Sequence, residues 1–272
     1  MSPAKRMTND PFIDDSGNPR RLRGMAILSN SPWVAELAPK VGFELVWFDM
    51  EHGSLGFAEL GQLCQAAELA GGITLARTAD AQRTSILRAL EVGAQFILVP
   101  MIEDAEQAQE IVRIAKYPPL GNRGFSSRSR GAGYGLEPMA RTLSKANART
   151  RVFGLVETRK AVENVASICA VEGLDGIFLG PGDLSFELGQ PGDFASPVLI
   201  EMVVSCVKAA HAAGKKVGMF SAPGPVLSAA IAEGCDIVVP GADIGYLVAG
   251  WKTLLESIPC GRESSCTVGA ST

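Results

Sequence analysis

The residues best suited to chemistry stand at the ends of apolar runs. FELVWFDMEHG (43–53) opens with Leu45–Phe48, the composition of a strand buried on both faces. It then switches to Asp49, Glu51 and His52 before the turn at Gly53. A carboxylate three residues from an imidazole can fix its tautomer and raise its basicity, as a general base requires. His52 is one of 2 histidines. The other, His211, lies in the helical pattern VKAAHAAGKK with no acid beside it and reads as a surface residue. Further on, GITLAR ends in Arg77, whose planar fork fits a carboxylate, and the alternative for Arg77 is an ion pair with Asp49 or Glu91. Glu157 ends the run Val152–Glu157, and Asp183 follows Gly176–Gly180 in GPGDLS.

Such residues need elements to deliver them. Strand-like runs recur at Gly24–Leu28, Leu45–Asp49, Ile73–Arg77, Phe96–Met101, Val152–Glu157, Gly176–Gly180, Val217–Phe220 and Ile237–Pro240. Eight helical segments alternate with them: Pro32–Val41, Phe57–Ala70, Arg83–Val92, Asp104–Ala115, Arg159–Val171, Pro197–Ala213, Pro225–Glu233 and Ile244–Ser257. Gly42, Gly71, Gly93, Gly173, Gly214 and Gly234 stand where helices end before the next strand. Eight strands with covering helices in about 250 residues predict a (β/α)8 TIM barrel, one catalytic domain over 23–258. A flexible tail is expected over 1–22 and a disordered, Ser/Gly-rich tail over 259–272. The runner-up, a doubly wound open sheet, would carry a glycine fingerprint after its first strand, where this chain has LSNSPW.

In a barrel the working residues lie at the C-terminal ends of strands. Glu157 and Asp183 come from neighbouring strands about 4.8 Å apart. Two carboxylates that close repel unless a proton or cation separates them. Oxygen ligands suit Mg2+ or Mn2+, with Co2+ also accepted. A helix cap or a salt bridge is the competing role for each acid singly, and His52 could be a third ligand. The lysines from Lys40 to Lys252 fall in helices, loops or at strand beginnings, which disfavours a Schiff base. The long connection Tyr117–Pro138 carries Arg123, Arg128 and Arg130 with Ser126 and Ser127. It reads equally as an anion site at the barrel mouth or as a lid or subunit contact.

Composition narrows the classes. The 272 residues are 47% hydrophobic and 20% charged, with 30 Gly, an ordinary globular balance with extra glycine. A net charge of −4 without a basic block argues against nucleic acid. No apolar run approaches the roughly 18 residues that span a bilayer, and the N-terminus lacks the apolar core of a signal peptide. The 6 cysteines show no metal or disulfide spacing, which fits a reducing cytoplasm.

Taken in order, FDMEHG, the LAR strand end, LVPMIEDAEQA, YPPLGNRG, VETRKAVEN and GIFLGPGDLS resemble the HpcH/HpaI aldolase family of metal-dependent pyruvate aldolases. The resemblance runs from Arg23 to Trp251. It implies a divalent metal on Glu157 and Asp183 that a 2-oxo acid chelates. It implies Arg77 against the oxo acid and developing enolate, with Gly180, Pro181, Gly182 and Ser126 beside the substrate. His52 paired with Asp49 would move the C4 hydroxyl proton, and Glu91 and Arg123 would support the site. It further implies a homo-oligomer, a trimer or hexamer in which C-terminal helices are exchanged. Two positions depart from the family pattern: Ala26 where a Trp is common, and Glu91 where an Asp is common.

The expected reaction is reversible cleavage of a 4-hydroxy-2-oxo acid to pyruvate and an aldehyde through a metal-stabilised enolate. Oxaloacetate decarboxylation, as in macrophomate synthases, passes through the same enolate. A coenzyme A ester lyase and a non-catalytic 2-oxo acid binding barrel are the remaining alternatives. The partners are therefore small molecules, with no nucleic acid and no membrane.

Overall fold

The structure, a computed structural model, describes residues 10–258. Eight parallel strands close into a barrel in sequence order: β1 (Leu22–Ile27), β2 (Leu45–Asp49), β3 (Ile73–Arg77), β4 (Phe96–Val99), β5 (Arg151–Val156), β6 (Gly176–Leu179), β7 (Lys216–Phe220) and β8 (Ile237–Val239). The helices are α1 (Pro32–Val41), α2 (Phe57–Leu69), α3 (Arg83–Glu91), α4 (Ala105–Ala115), α5 (Met139–Arg149), α6 (Arg159–Glu163), α7 (Val165–Cys169), α8 (Pro181–Glu187), α9 (Pro197–Ala212), α10 (Pro225–Ala232) and α11 (Asp243–Ser257). The TIM barrel expected from the sequence is the fold. The six helix-ending glycines all adopt positive φ, from 70° at Gly214 to 116° at Gly42, which ends each helix with a left-handed residue.

The period of two along each strand divides the core into two layers. Val46, Phe48, Ala76, Ile97, Val99 and Val156 point outward and pack beneath the helices. Leu45, Trp47, Ile73, Leu75, Phe96, Phe153, Leu155 and Phe178 fill the interior. Trp47 meets the Phe178 ring edge-on at 5.5 Å, and Phe178 meets Phe153 likewise at 5.5 Å. Room for Phe178 is made by Gly218, where a Cβ would stand 2.3 Å from its ring. The same alternation carries upward. Asp49 is in phase with Leu45 and Trp47, Arg77 with Ile73 and Leu75, and Glu157 with Phe153 and Leu155, so all three continue the inward set at the mouth.

Three sequence expectations change. Within the supposed flexible tail, Phe12 is packed against the barrel: it is 2% exposed and stacks on Phe96 at 6.3 Å. Lys216 Nζ stands 4.9 Å from the centre of the same ring, so this segment closes the foot of the barrel. The tail expected over 259–272 lies outside the described residues. The helix expected over Arg159–Val171 is interrupted at Asn164, and α5 and α8 are additions that the periodicity did not mark. Finally, His211 does have an acid: Asp236, at the start of β8, lies 3.0 Å from its Nε2.

Four cysteines, Cys64, Cys169, Cys206 and Cys235, are buried free thiols. Burial pushes Cys64, Cys206 and Cys235 up to about 12, which keeps them protonated and unreactive. Among the described residues no helix is long and apolar enough to cross a membrane.

Phe12→Ala tests the foot of the barrel. Removing a buried phenylalanine costs roughly 3–5 kcal/mol, so the urea midpoint should fall by that equivalent. An unchanged midpoint would show that the segment adds nothing to the fold.

Candidate active site

The β2–β3 register sets Asp49 directly opposite Arg77 at the strand ends. Arg77 Nε donates to Asp49 Oδ1 at 2.9 Å, and Nη2 donates to Oδ2, so the guanidinium is gripped along one edge. The Trp47 ring lies below, its centre 5.6 Å from Arg77 Cζ. Asp49 Oδ1 also accepts the backbone N–H groups of Glu51 at 3.0 Å and His52 at 3.3 Å. Burial alone would raise the Asp49 carboxyl, but the hydrogen bonds and charge of Arg77, aided by those two N–H groups, hold it below the ordinary range.

This changes the expected Asp49–His52 pair. The carboxylate is committed to Arg77, and His52 offers Asp49 only its backbone. The imidazole side chain is 71% exposed, and its Nε2 lies 3.9 Å from Glu51 Oε2. Glu51, to which local sequence assigns no role, stands 3.0 Å from Arg77 Nη1 through the same oxygen. A usable signal was present: Glu51 is two residues beyond Asp49, in phase with the inward set.

Across the mouth, Glu157 follows β5 and is 4% exposed. Its Oε1 accepts the Met101 N–H at 2.9 Å. Met101 takes φ 57°, a costly conformation for a residue with a side chain, and it aims that N–H inward. Thr158 caps α6 immediately afterwards, accepting from the Ala161 N–H at 3.1 Å, which fixes the backbone beside Glu157. Gly180, the inward position following β6, leaves the space: a Cβ there would lie 2.8 Å from Glu157 Cβ and 3.2 Å from Oε2. Pro181 then starts α8 and puts Asp183 in its first turn, where the helix dipole favours negative charge. A Cβ at Gly182 would meet nothing within 4 Å, so the backbone there borders open space.

Charge explains what the pair of acids can hold. Burial pushes Glu157 up to about 7; the Met101 N–H and Arg77 oppose this, while Glu51 and Asp183 add to it. A buried carboxylate with two anionic neighbours is short of positive charge, and the Gly180 gap leaves its second oxygen approachable. Glu157 and Asp183 therefore fit a hard divalent cation. Among the described residues no group of three or more His, Cys, Asp and Glu could hold a metal ion. Two protein oxygens would leave the other coordination positions to substrate and water.

Ser126, Arg123 and Glu91 are elsewhere. The Tyr117–Pro138 connection follows α4, and so begins at the foot of the barrel rather than its mouth. Arg123 Nη2 pairs with Glu91 at 3.0 Å at the end of α3, and the Gly131 N–H donates to the Glu91 carbonyl. Arg130 and Arg149 both pair with Glu68, at 2.5 and 2.6 Å, near the end of α2. These arginines bound a cavity of about 220 Å³. They answer Glu68, Glu91 and the partial negative charge of three helix C-termini. Ser126 is exposed on that same loop. Within one chain, none of these residues supports Arg77 or His52.

The model of the HpcH/HpaI aldolase/citrate lyase family matches residues 23–249. The 2-keto-3-deoxy-L-rhamnonate aldolase of Salmonella paratyphi B is 33% identical over 238 residues, 87% of this chain and 88% of that protein. Among solved structures, an HpcH/HpaI aldolase from Desulfitobacterium hafniense DCB-2 superposes with a TM-score of 0.81 at 28% identity, covering 89% of this chain and 95% of that one. Macrophomate synthase gives 0.74 at 26% identity, covering 87% and 84%. The chain belongs to the HpcH/HpaI aldolase/citrate lyase family.

Proposed function

We propose that this protein is a divalent-cation-dependent aldolase that reversibly cleaves a 4-hydroxy-2-oxo acid to pyruvate and an aldehyde. The observation that carries this reading is the inward-facing Glu157, short of positive charge, across the mouth from an Arg77 whose orientation Asp49 fixes. The relative from Salmonella is named for a 2-keto-3-deoxy sugar acid, which is a 2-oxo acid of this class.

Each side chain has a part. Glu157 and Asp183 would hold Mg2+, Mn2+ or Co2+, which when bound supplies a Lewis acid for the charge that develops on the oxo oxygen. Arg77 presents the N–H groups that Asp49 does not use, a fixed positive charge where the pyruvate enolate forms. Asp49 is a positioning group that prevents Arg77 from swinging away. His52, exposed at the rim, takes the C4 hydroxyl proton during cleavage and returns it during condensation, directly or through water. Gly180, Pro181 and Gly182 would border the oxo acid, because the two glycines leave space beside Glu157 and at the start of α8.

Calorimetry tests the cation reading. The Glu157 carboxyl is raised from its ordinary 4.5 to about 7, so the metal-free fold is stabilised by protonation. That contribution is fully present below about 4.5 and is lost as pH rises through about 7. Cation binding must displace the same proton. Mg2+ or Mn2+ affinity should therefore rise between pH 5 and about 7 with proton release, and Glu157→Gln should abolish it while the protein stays folded. Unchanged affinity in that variant would remove Glu157 as a ligand.

Turnover tests the reaction. Pyruvate release from a panel of 4-hydroxy-2-oxo acids and oxaloacetate should require a divalent cation and stop with EDTA. Oxaloacetate yields the same enolate without a C4 hydroxyl, so His52→Ala should impair aldol cleavage by about 10²-fold or more and spare decarboxylation. Equal loss of both would make His52 a ligand or a binding group instead. Silence on every substrate would sink the aldolase.

A homo-oligomer, trimeric or hexameric, is supported by α11. Asp243 is its single buried residue, while Trp251 is 62% and Leu255 70% exposed. An apolar helix left this exposed among the described residues marks a protein contact. Trp251→Glu should lower the mass seen by sedimentation, and an unchanged assembly would free α11 from that role.

A further inference from the structure

Arg77 offers a 2-oxo acid fewer contacts than its five N–H donors suggest. Asp49 occupies Nε and one side of Nη2. The other terminal nitrogen, Nη1, faces Glu51 Oε2 at 3.0 Å. That contact is close but poor. Glu51 Oε2 is shielded from solvent and makes no hydrogen bond, so it has lost water without gaining a proper partner. Such an oxygen is costly to keep in place.

Glu51 is not packed in on every side. It lines a cavity of about 430 Å³ with Ala79, Asp80, Pro100 and Met101. His52 Nε2 is already within 3.9 Å of the same oxygen. Asp49 and Asp183 repel Glu51, while Arg77 attracts it. Glu106 and Glu110 face it across the cavity. A substrate oxygen that takes Nη1 leaves the His52 ring, 3.9 Å away, as the nearest remaining partner for that carboxylate.

We propose that Glu51 is an internal stand-in for the 2-oxo acid on Arg77, and that substrate displaces it onto His52. The proposal rests on the aldolase reading and adds to it a coupling between the two halves of the site. The carboxylate partner that Asp49 does not give His52 is supplied by Glu51, and only in the occupied site. An empty site keeps its histidine unassisted. A site filled at Arg77 has its proton acceptor completed by the same event. No bond is made or broken in the exchange: one carboxylate replaces another on Arg77.

Removing the charge of the stand-in should therefore tighten substrate binding while slowing the proton step. By calorimetry with Mg2+ present, Glu51→Gln should bind pyruvate about 3–10-fold more tightly than the wild type, since a competing population is removed. Its KM for the 4-hydroxy-2-oxo acid should fall together with kcat for cleavage, with oxaloacetate decarboxylation spared. Glu51→Gln combined with His52→Ala should be no slower in cleavage than His52→Ala alone, because the two act as a unit. Glu51→Ala should show the same directions and guards against an accident of the glutamine. A merely structural Glu51 would weaken pyruvate binding on removal. Equal or weaker pyruvate binding by both variants, with a wild type that binds it, overturns the stand-in. Additive loss in the double variant overturns the transfer to His52. A wild type that binds no pyruvate overturns the aldolase reading itself, and this inference with it.

Discussion

The ion pair between Asp49 and Arg77 is the contact on which the rest of the mouth depends. It is made by register: β2 and β3 pair so that these two residues face each other at the top inward position of both strands. Both side chains are largely buried, at 7% and 12% exposure, so each charge depends on the other for compensation. Removing one partner of such a pair costs about 3–5 kcal/mol, because it strands the other charge. The barrel's hydrogen bonding and its polar chemistry are thus specified by one geometric fact. A slip of one residue in β2 would turn Asp49 outward with Phe48's set and leave Arg77 free to collapse onto Glu51 or Glu157.

The opposite wall is built on the reverse principle. Asp49 is satisfied four times over, whereas Glu157 receives one N–H from a strained Met101 backbone, and against the charge of Arg77 it has Glu51 and Asp183. The two carboxylates differ in what their surroundings supply, and the proposed roles follow that difference. A satisfied acid holds a neighbour in place; an under-satisfied one is left wanting a cation. The small residues on that side follow from the same need, since a side chain at Gly180 would fill the space that keeps Glu157 approachable.

Much of this was legible in the chain because barrel chemistry follows strand ends. The eight apolar runs, the six glycine stops and the positions of Asp49, Arg77, Glu157 and Asp183 could be read from local pattern alone. The failures share one cause: sequence proximity stood in for spatial proximity. His52 is three residues from Asp49, which suggests a pair, but the strand register gives Asp49 to Arg77, 28 positions away. His211 looked partnerless because Asp236 comes from the next βα unit. Phe12 looked like tail because nothing local shows that the barrel foot needs a ring against Phe96.

The loop 117–138 carries the same lesson to the scale of the fold. Its arginines and serines suggested an anion site, and its position after the fourth strand suggested the mouth. In a (β/α)8 barrel, however, a segment following the helix of a unit lies at the opposite end from one following the strand. The helix Ala105–Ala115 intervenes, so Arg123, Arg130 and Glu91 meet at the foot, where three helix C-termini need positive charge. Identical residue types would mean ligand binding at one end and helix termination at the other. Which end a polar loop occupies is decided by whether a helix has already been traversed, and that order is visible in the sequence before any coordinate is known.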